Sequence, residues 1–414
     1  MKRENIVLVN AHWSNHGDEA AVLAVIEEIW NWKPDARVSV IIKDKKKVKE
    51  SIIVKKRPVR CIANQFLPNP ADYVVQLLSK GRIGRNPAMK RFLALLGKAD
   101  FIIYAPGGSV INDRFWWRKQ LEYMLPLWYA RLYRKPLYIA SPSIGPFEAK
   151  YKIRNFLRRR LFSGIPYLFV RERMSYEFLK EIGAAGNARV TIDSAFCSEV
   201  DTKAQEELFY AEESLSAFME RYPKVVGVTI TELDWNVKYK DKNMAQEIRN
   251  AMQGFLEFLQ RSGYGVILIP QLFENQDDSS LLETYRGGKE TVFILNQAYS
   301  SDFQQYLISR LYLVVGMRYH SNIFSAKMGV PFLPVIYEEK MESFVREAEL
   351  LNYAVYVEEI SAASLEEHFR RIVDEQDAYR EILRRKRAEW AKRAEITKKS
   401  LKEFLQKTRK SKFL

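Results

Sequence analysis

The stretch LYLVVGMRYHSNIFSAKMGVPFLPVIY at residues 311–337 contains an apolar run, a glycine turn, a helical segment and a second apolar run. The apolar runs 311–315 and 331–337 are rich in β-branched and aromatic residues, as β-strands usually are. A strand, a helix and a second strand in this order form a βαβ unit, in which the two strands lie parallel in one sheet. The stretch therefore predicts an α/β protein.

The same alternation extends in both directions from this unit. Further strand-like runs lie at 5–10, 38–43, 101–105, 137–141 and 166–170, and at 224–230, 264–269 and 291–295. An acidic, helical segment without a strand separates the two sets. The pattern predicts two Rossmann-like, doubly wound domains, an N-terminal one at residues 1–200 and a C-terminal one at 224–375. A linker helix is predicted at 201–223, and a basic amphipathic helix and tail at 376–414.

The composition limits the class of protein. The chain has 414 residues, 47% hydrophobic and 28% charged, which is typical of globular domains. Its two cysteines cannot form a disulfide framework. No apolar leader follows Met1, and no run approaches the ~20 apolar residues of a membrane-spanning helix. We therefore expect a cytoplasmic protein, free or peripheral at the inner face of the plasma membrane.

The positive charge is concentrated at the C-terminal end. Of the net charge of +15, residues 380–414 carry +10, with 14 Lys and Arg against 4 acidic residues. Apolar residues recur near helical spacing in this segment, and the last eight residues, 407–414, look frayed. Two interpretations stay open for the helix: docking on an anionic membrane surface, or packing against the two domains. Binding to nucleic acid is not predicted, because the cations are not interleaved with aromatic residues and no known motif is present.

The first strand leads into a polar turn. Asn15, Gly17, Asp18 and Glu19 follow it directly and precede an apolar helix. In doubly wound sheets, ligands bind at the carboxyl ends of the strands. These residues are therefore candidates for a site, although acidic residues at a helix start also stabilise the helix dipole.

Two further loops of the first half carry candidate residues. Gly107, Gly108 and Asp113 follow the strand at 101–105, where paired glycines allow close approach of a ligand or simply form a tight turn. Arg171 follows the strand at 166–170, where it would bind an anion or pair with a neighbouring carboxylate. The aromatic stretch 115–134 would shape an acceptor groove or a lipid-facing surface, or form core, and core is favoured.

The clearest local signal lies in the turn of the opening stretch. Arg318 and His320 follow a strand and precede a helix, so a guanidinium, an imidazole and backbone N–H groups meet in one place. This combination suits anion binding and proton transfer. Lys340 follows the next strand and is expected beside them. No group of residues has the spacing of a known zinc site, so no metal is predicted.

In their joint order, these motifs resemble the polysaccharide pyruvyl transferase family. The resemblance covers about residues 5–340. It rests on the motifs Asn15-x-Gly17-Asp18-Glu19, Gly107-Gly108-Ser109 with Asp113, Ser143-Ile144-Gly145-Pro146, Val170-Arg171-Glu172, Asp193 with Ala195-Phe196, Pro270-Gln271, Arg318-x-His320, Gly329-x-Pro331 and Tyr337 with Lys340. Pro106 stands in place of a glycine of the family pattern, and Glu172 and Ser194 in place of Asp and Pro.

The resemblance implies a GT-B-like pair of domains. It also implies transfer of a pyruvyl group from phosphoenolpyruvate onto two hydroxyls of a sugar, which forms a cyclic ketal and releases phosphate. The donor pocket carries over to Arg318, Tyr319, His320 and Arg171. No cofactor is implied beyond phosphoenolpyruvate as donor, and the acceptor would be a glycan, polymeric or lipid-linked.

The chemistry of this reaction suggests a role for each candidate. Arg318 and Arg171 would hold the anionic groups of the donor, and His320 would act as general acid or neutralise the departing phosphate. Asp18, Glu19 and Asp113 are the candidate bases for the sugar hydroxyl. The principal alternative is a GT-B glycosyltransferase with a nucleotide-sugar donor, and a lectin-like module would bind sugar without releasing phosphate.

Overall fold

The computed structural model describes residues 3–43, 51–64, 69–114, 117–234, 236, 238–239, 243–273 and 278–406. The chain forms two compact units. The first comprises Met1–Trp13, Asp18–Ser198 and Lys392–Leu414, and the second comprises Ser14–Gly17 and Glu199–Ala391. The predicted frayed end, 407–414, lies outside the described residues.

The first unit is built on an eight-stranded sheet in the order β10-β9-β7-β5-β1-β2-β4-β3, with β6 and β8 paired in a small second sheet. All pairs are parallel except β3 with β4. The strands are β1 Asn5–Ala11, β2 Arg37–Lys43, β3 Ser51–Val54, β4 Arg57–Asn64, β5 Phe101–Tyr104, β6 Gly107–Ile111, β7 Leu137–Ile139, β8 Pro142–Ile144, β9 Tyr167–Val170 and β10 Ala188–Val190.

Helices cover both faces of the large sheet. They are α1 His16–Trp32, α2 Pro70–Leu78, α3 Pro87–Lys98, α4 Trp117–Leu132, α5 Lys152–Phe162 and α6 Arg173–Glu181. One core cluster lies between the sheet and α2–α6, and a second lies between the sheet and α1. Alternate strand residues enter opposite clusters, as Val7 and Leu8 do, because successive side chains of a strand point to opposite faces.

The second unit contains a six-stranded parallel sheet in the order β13-β12-β11-β14-β15-β16. Its strands are β11 Val225–Thr229, β12 Gly265–Leu268, β13 Val292–Ile294, β14 Leu313–Gly316, β15 Phe332–Ile336 and β16 Val355–Tyr356. Its helices are α7 Thr202–Ala211, α8 Glu213–Arg221, α9 Met244–Arg261, α10 Ser279–Arg286, α11 Ser301–Ser309, α12 Tyr319–Met328, α13 Glu339–Glu347 and α14 Ala362–Asp374, followed by α15 Gln376–Gln406, which runs on into the first unit.

Each of the ten predicted strand runs contains a strand of the structure. The sequence did not indicate the other six described strands: β3 and β4, which pair at one edge of the large sheet, β6 and β8 of the small sheet, and the short edge strands β10 and β16. Glycine-rich β6 has little of the β-branched and aromatic character on which strand prediction depends. No described helix combines the length and the apolar composition needed to cross a bilayer.

One predicted segment differs from the structure, and for a second the structure decides between the two interpretations. The segment 201–223 is not a single linker helix but two helices, α7 and α8, which bury Phe209, Leu215 and Phe218 in the second unit. The C-terminal segment is a 31-residue helix, α15, and most of its large apolar side chains are buried, with Ile396 the exception among the described residues. Leu401 and Phe404 belong to the core around α1. The apolar face of this helix is therefore used for packing.

Candidate functional site

The turn between β14 and α12 is fixed by buried hydroxyl and amide side chains. The Arg318 N–H donates to Thr229 Oγ1 at 3.2 Å, which lies 2.9 Å from Ser321 Oγ. Ser321 Oγ donates to the Arg318 carbonyl at 2.7 Å, and Asn322 Nδ2 donates to the Gly316 carbonyl at 3.1 Å. These bonds hold Arg318 at the edge where β11 and β14 end, which is the usual ligand edge of such a sheet.

Asp278 orients the guanidinium of Arg318. Arg318 Nη2 donates to Asp278 Oδ1 at 2.6 Å, and both groups are largely buried. The other carboxylate oxygen accepts from the N–H groups of Gln271 at 2.9 Å and Leu272 at 3.0 Å. Within the described residues, the buried Nε of Arg318 has no hydrogen-bond partner. The side chain is thus held from one side and retains a buried donor for an anion.

The helix that follows Arg318 begins inside the protein. Arg318 is the N-cap residue of α12, and its own side chain makes no capping hydrogen bond. The first eight residues of α12 are buried, beginning with Tyr319 and His320. The amino end of a helix carries partial positive charge and N–H groups that point outward along its axis. This end of α12 therefore favours an anion, and the imidazole of His320 lies in its first turn.

The loop after β1 joins this region in the second unit. His16 N–H donates to the Gln271 carbonyl at 3.0 Å, and Phe273 N–H donates to the Ser14 carbonyl at 3.2 Å. The rings of His16 and Phe273 lie 4.5 Å apart. The loop thereby pairs with the same turn that supplies the backbone donors to Asp278.

Gly17 makes the closest approach of this loop to His320. A Cβ at Gly17 would lie 1.8 Å from His320 Cγ and 2.0 Å from Nδ1, so only glycine fits against the imidazole. The Gly17 N–H donates to Asn15 Oδ1 at 2.8 Å, which fixes the loop conformation. Asn15, Gly17, Arg318 and His320, all predicted as site residues, are therefore brought together in one unit.

Lys340 adds a second cationic side chain at the edge of the sheet where Arg318 lies. It lies in the first turn of α13, and its Nζ is 2.7 Å from Glu338 Oε2 and 5.7 Å from the centre of the Tyr319 ring. The Tyr319 ring meets the His320 ring edge-on at 5.1 Å. Arg318 and Lys340 thus follow two adjacent strands, β14 and β15, as the sequence predicts.

The first unit brings together a different set of predicted residues. Asp18 and Glu19 lie in the first turn of α1. A Cβ at Gly107 would lie 3.3 Å from Asp18 Oδ1 and 3.4 Å from His12 Cδ2, so Asp18 borders the start of β6. Gly108 has open space where its side chain would be.

Arg171 is engaged with carboxylates in the first unit. It donates through Nη1 to Asp193 at 2.8 Å, and through Nε to Glu172 at 3.0 Å and to Ser143 Oγ at 2.7 Å. The side chain is 1% exposed. Of the two alternatives for Arg171, binding an anion or pairing with a carboxylate, the structure shows the ion pair. Arg171 therefore positions the loops of this unit.

Asp113 is held by the guanidinium of Arg158. Its two oxygens accept from Arg158 at 2.7 and 2.9 Å, and one also accepts from the N–H of Glu148. Burial alone raises the pKa of Asp113, but these hydrogen bonds and the charge of Arg158 outweigh it, so the pKa lies below its ordinary value. A carboxylate stabilised in this way is a weak base.

A cavity of about 570 Å³ in the second unit lies away from these residues. It is lined by Phe209, Tyr222, Arg310 and Tyr312, among others. These residues border the amino ends of β11 and β14, opposite the edge that carries Arg318. The cavity is therefore not part of the candidate site. Among the described residues, no three His, Cys, Asp or Glu side chains form a metal-binding group.

Asp278 is the main residue of the site that was not among the predicted site residues. It follows β12, whose carboxyl end is separated from that of β14 by β11 in the sheet order. An acidic residue after a strand was visible in the sequence, but the pairing with Arg318 spans 40 positions. No local pattern specifies such a contact.

Comparisons with known proteins agree with the sequence motifs. The family model for polysaccharide pyruvyl transferase matches residues 15–339. The chain is 24% identical over 292 residues to the amylovoran biosynthesis protein AmsJ of Erwinia amylovora. That match covers 67% of this chain and 66% of AmsJ, so the chain spans just under two thirds of this relative's length.

The similar solved structures show the fold. A UDP-GlcNAc 2-epimerase from Neisseria meningitidis, bound to UDP-GlcNAc, has a TM-score of 0.56 at 12% identity and covers 97% of this chain and 100% of its own. A glycosyltransferase from Rickettsia africae has a TM-score of 0.59 at 10% identity, with 99% and 100% covered. The predicted GT-B-like fold class with Rossmann-like domains is confirmed.

Proposed function

Because the chain belongs to the polysaccharide pyruvyl transferase family, we propose that it transfers a pyruvyl group from phosphoenolpyruvate onto two hydroxyls of one sugar. The observation that supports this most is the group formed by Arg318, the buried start of α12 and His320. An anion-binding edge with an imidazole beside it suits a donor that carries two anionic groups and must be protonated.

The donor would bind at the carboxyl ends of β14 and β15. Arg318, held by Asp278, would bind one anionic group of phosphoenolpyruvate through its remaining donors. The amino end of α12, with the N–H of Tyr319, and the ammonium group of Lys340 would bind the other. The carboxylate and the phosphate of phosphoenolpyruvate would thus bind to separate hydrogen-bonding groups of the protein, which would fix the orientation of the enol.

The proposed reaction begins with a proton transfer. His320 donates a proton to the methylene carbon of phosphoenolpyruvate, so the neighbouring carbon becomes electrophilic. The oxygen of one sugar hydroxyl bonds to that carbon and loses its proton to a base. The second hydroxyl oxygen then bonds to the same carbon as the bond to the phosphate oxygen breaks, and the proton of this hydroxyl passes to the departing phosphate. Phosphate leaves, and the sugar carries a cyclic ketal with a methyl and a carboxylate group.

Asp18 and Glu19 are the proposed bases for the first sugar hydroxyl. Asp113 and Arg171 were also candidates for the site, but each is engaged in buried ion pairs within the first unit. We assign these two to holding the loops around β6, β8 and β9. Each step of the scheme uses groups of this chain and the two substrates, so the scheme calls for no metal or further cofactor.

The acceptor that we propose is a polysaccharide or its lipid-linked precursor, modified at the cytoplasmic face of the plasma membrane. The family and the name of the amylovoran biosynthesis relative support a polysaccharide acceptor. The rival donor is a nucleotide-sugar, such as the UDP-GlcNAc bound to the epimerase of similar fold.

The test is release of phosphate from phosphoenolpyruvate in the presence of a panel of glycans. Arg318→Ala should lower kcat/KM for phosphoenolpyruvate by about 100-fold or more, because charge-assisted hydrogen bonds contribute ~1.5–3 kcal/mol each. Arg370→Ala, which removes an exposed arginine of α14, is the matched control and should leave the rate unchanged. Full activity of Arg318→Ala, or turnover of a nucleotide-sugar alone, would contradict the proposal.

A further inference from the structure

Helix α5 displays an apolar stripe on the surface of the first unit. Ile153 is 79% exposed, Phe156 49% and Leu157 45%. Residues at this spacing lie on one face of a helix, so the three side chains form a continuous surface, here called the α5 stripe. Large exposed apolar side chains that adjoin one another mark a binding surface more often than isolated ones do.

The opposite face of α5 is anchored in the protein. Arg158, Leu161 and Phe162 are buried, and Arg158 forms its bidentate pair with Asp113. Arg131 Nη1 donates to the Leu161 carbonyl at 2.8 Å. The helix is therefore fixed in orientation, and the α5 stripe is presented outward by folding.

Cations surround the α5 stripe. Between Lys150 and Arg160 the sequence has six Lys and Arg and no acidic residue. Lys152, Arg159 and Arg160 are exposed, and none of them forms an ion pair with a residue that the structure describes. Arg159 and Arg160 lie 5.5 and 5.8 Å from the centre of the Phe156 ring. Apolar side chains in the middle and unpaired cations beside them match the boundary between lipid tails and anionic headgroups.

The C-terminal helix does not offer such a surface, although it is also basic. Trp390 is 1% exposed and stacks on Phe344, and Leu401 and Phe404 are buried. The described part of α15 has one large exposed apolar side chain, Ile396. Charge without an available apolar face gives weak binding, because both contributions add to the affinity of an interfacial helix.

We propose that the α5 stripe docks the protein on an anionic lipid bilayer. Ile153, Phe156 and Leu157 enter the headgroup region, and the neighbouring cations pair with lipid phosphates. The inference deepens the proposed function, since a lipid-linked acceptor would lie at the same surface. Vesicle binding is measured without phosphoenolpyruvate or glycan, so its failure is distinguishable from a failure of the proposed reaction.

The test is co-sedimentation of the full chain with vesicles of phosphatidylcholine, with and without phosphatidylglycerol. The unaltered protein should bind the phosphatidylglycerol vesicles. The double variant Ile153→Ser, Phe156→Ser should bind them at least about tenfold more weakly. Ile396→Ser removes a similarly exposed apolar side chain from α15 and should bind as the unaltered protein does. Thermal unfolding midpoints check that each variant is folded.

A charge variant distinguishes binding to anionic lipid from binding to other polyanions. Arg159→Glu with Arg160→Glu should abolish the preference for phosphatidylglycerol. Equal loss of binding in Ile396→Ser, or no vesicle binding by the unaltered protein, would overturn the proposal. Binding to soluble heparin would also overturn the proposal if it were as strong as vesicle binding and unchanged by the Ser substitutions. That result would assign the cations to a soluble polyanion.

Discussion

At the scale of single residues, the site depends on how Arg318 and His320 are held. Arg318 is oriented by one carboxylate, and His320 has a backbone loop against its ring. The groups that hold them, the Asp278 carboxylate and the backbone at Gly17, do not take part in the proposed reaction themselves. The two supports act on different steps of the proposed reaction, so they are separable by kinetics.

Asp278→Asn should weaken donor binding. The amide is similar in shape but lacks the charge that attracts Arg318, so the guanidinium loses its fixed orientation. We expect KM for phosphoenolpyruvate to rise about tenfold, with a smaller change in kcat. Glu232→Gln is the matched control, because it weakens another ion pair of the second unit, in which the buried Glu232 carboxylate pairs with Arg249 rather than Arg318. An equal rise in KM in both variants would show that Asp278 acts only through stability.

Gly17→Ala should impair proton transfer while leaving donor binding nearly unchanged. The added methyl group cannot occupy a position 1.8 Å from His320 Cγ, so the imidazole or the loop must move. A displacement of about 1 Å can lower kcat by roughly 100-fold. The dissociation constant of phosphoenolpyruvate, measured by calorimetry, should stay within about twofold. Gly186→Ala, at a glycine with open space around it, is the control, and unchanged kcat in Gly17→Ala would refute the role given to this contact.

At the scale of elements, α15 is a structural helix. Its buried face includes Trp390 and Leu383 in the second unit and Leu401 and Phe404 in the first. The sequence left docking on a membrane and packing as equal alternatives for this segment. The structure shows packing, and the strongly basic character belongs to the remaining, exposed face.

Trp390→Ala should therefore destabilise the protein. Removal of a buried indole that stacks on Phe344 costs about 3–5 kcal/mol, through lost burial and the cavity left behind. Ile396→Ala, on the exposed side of the same helix, should cost less than about 0.5 kcal/mol. Thermal unfolding midpoints of the two variants give the comparison. Equal, small shifts would mean that the helix is not packed as described.

The contact between α15 and Glu349, two residues after the end of α13, should depend on pH. Glu349 accepts hydrogen bonds from Arg385 and, at 2.8 Å, Lys386, which lower the pKa of Glu349 to about 2 from its ordinary 4.5. A lowered pKa in the folded state means that the contribution is full above pH 4.5 and is lost as the pH falls toward 2. The contribution is small, because the pair is exposed. Glu349→Gln should lower the unfolding midpoint slightly at pH 7 and not at pH 2, and a difference that grows on acidification would contradict this sign.

At the scale of the whole molecule, the sequence contained the alternation of strands and helices and the order of the strand-end motifs. Each predicted strand run held a strand, because buried parallel strands are short apolar runs that are visible locally. The pairing of Asp278 with Arg318 was not visible, and neither was the place of Ser14–Gly17 in the second unit. Such contacts join segments far apart in sequence and depend on strand order, which no local pattern contains. For the same reason, Arg171 and Asp113 were recognisable as strand-end residues but their ion pairs were not.

The two candidate donors, phosphoenolpyruvate and a nucleotide-sugar, would transfer different groups to the glycan. The most direct test is mass spectrometry of a panel of polysaccharides and lipid-linked glycans after incubation with phosphoenolpyruvate and the protein. We predict that one class of glycan gains the mass of one pyruvate less one water, with one phosphate released for each group added. A gain equal to a sugar residue, seen only when a nucleotide-sugar is supplied, would contradict the claim.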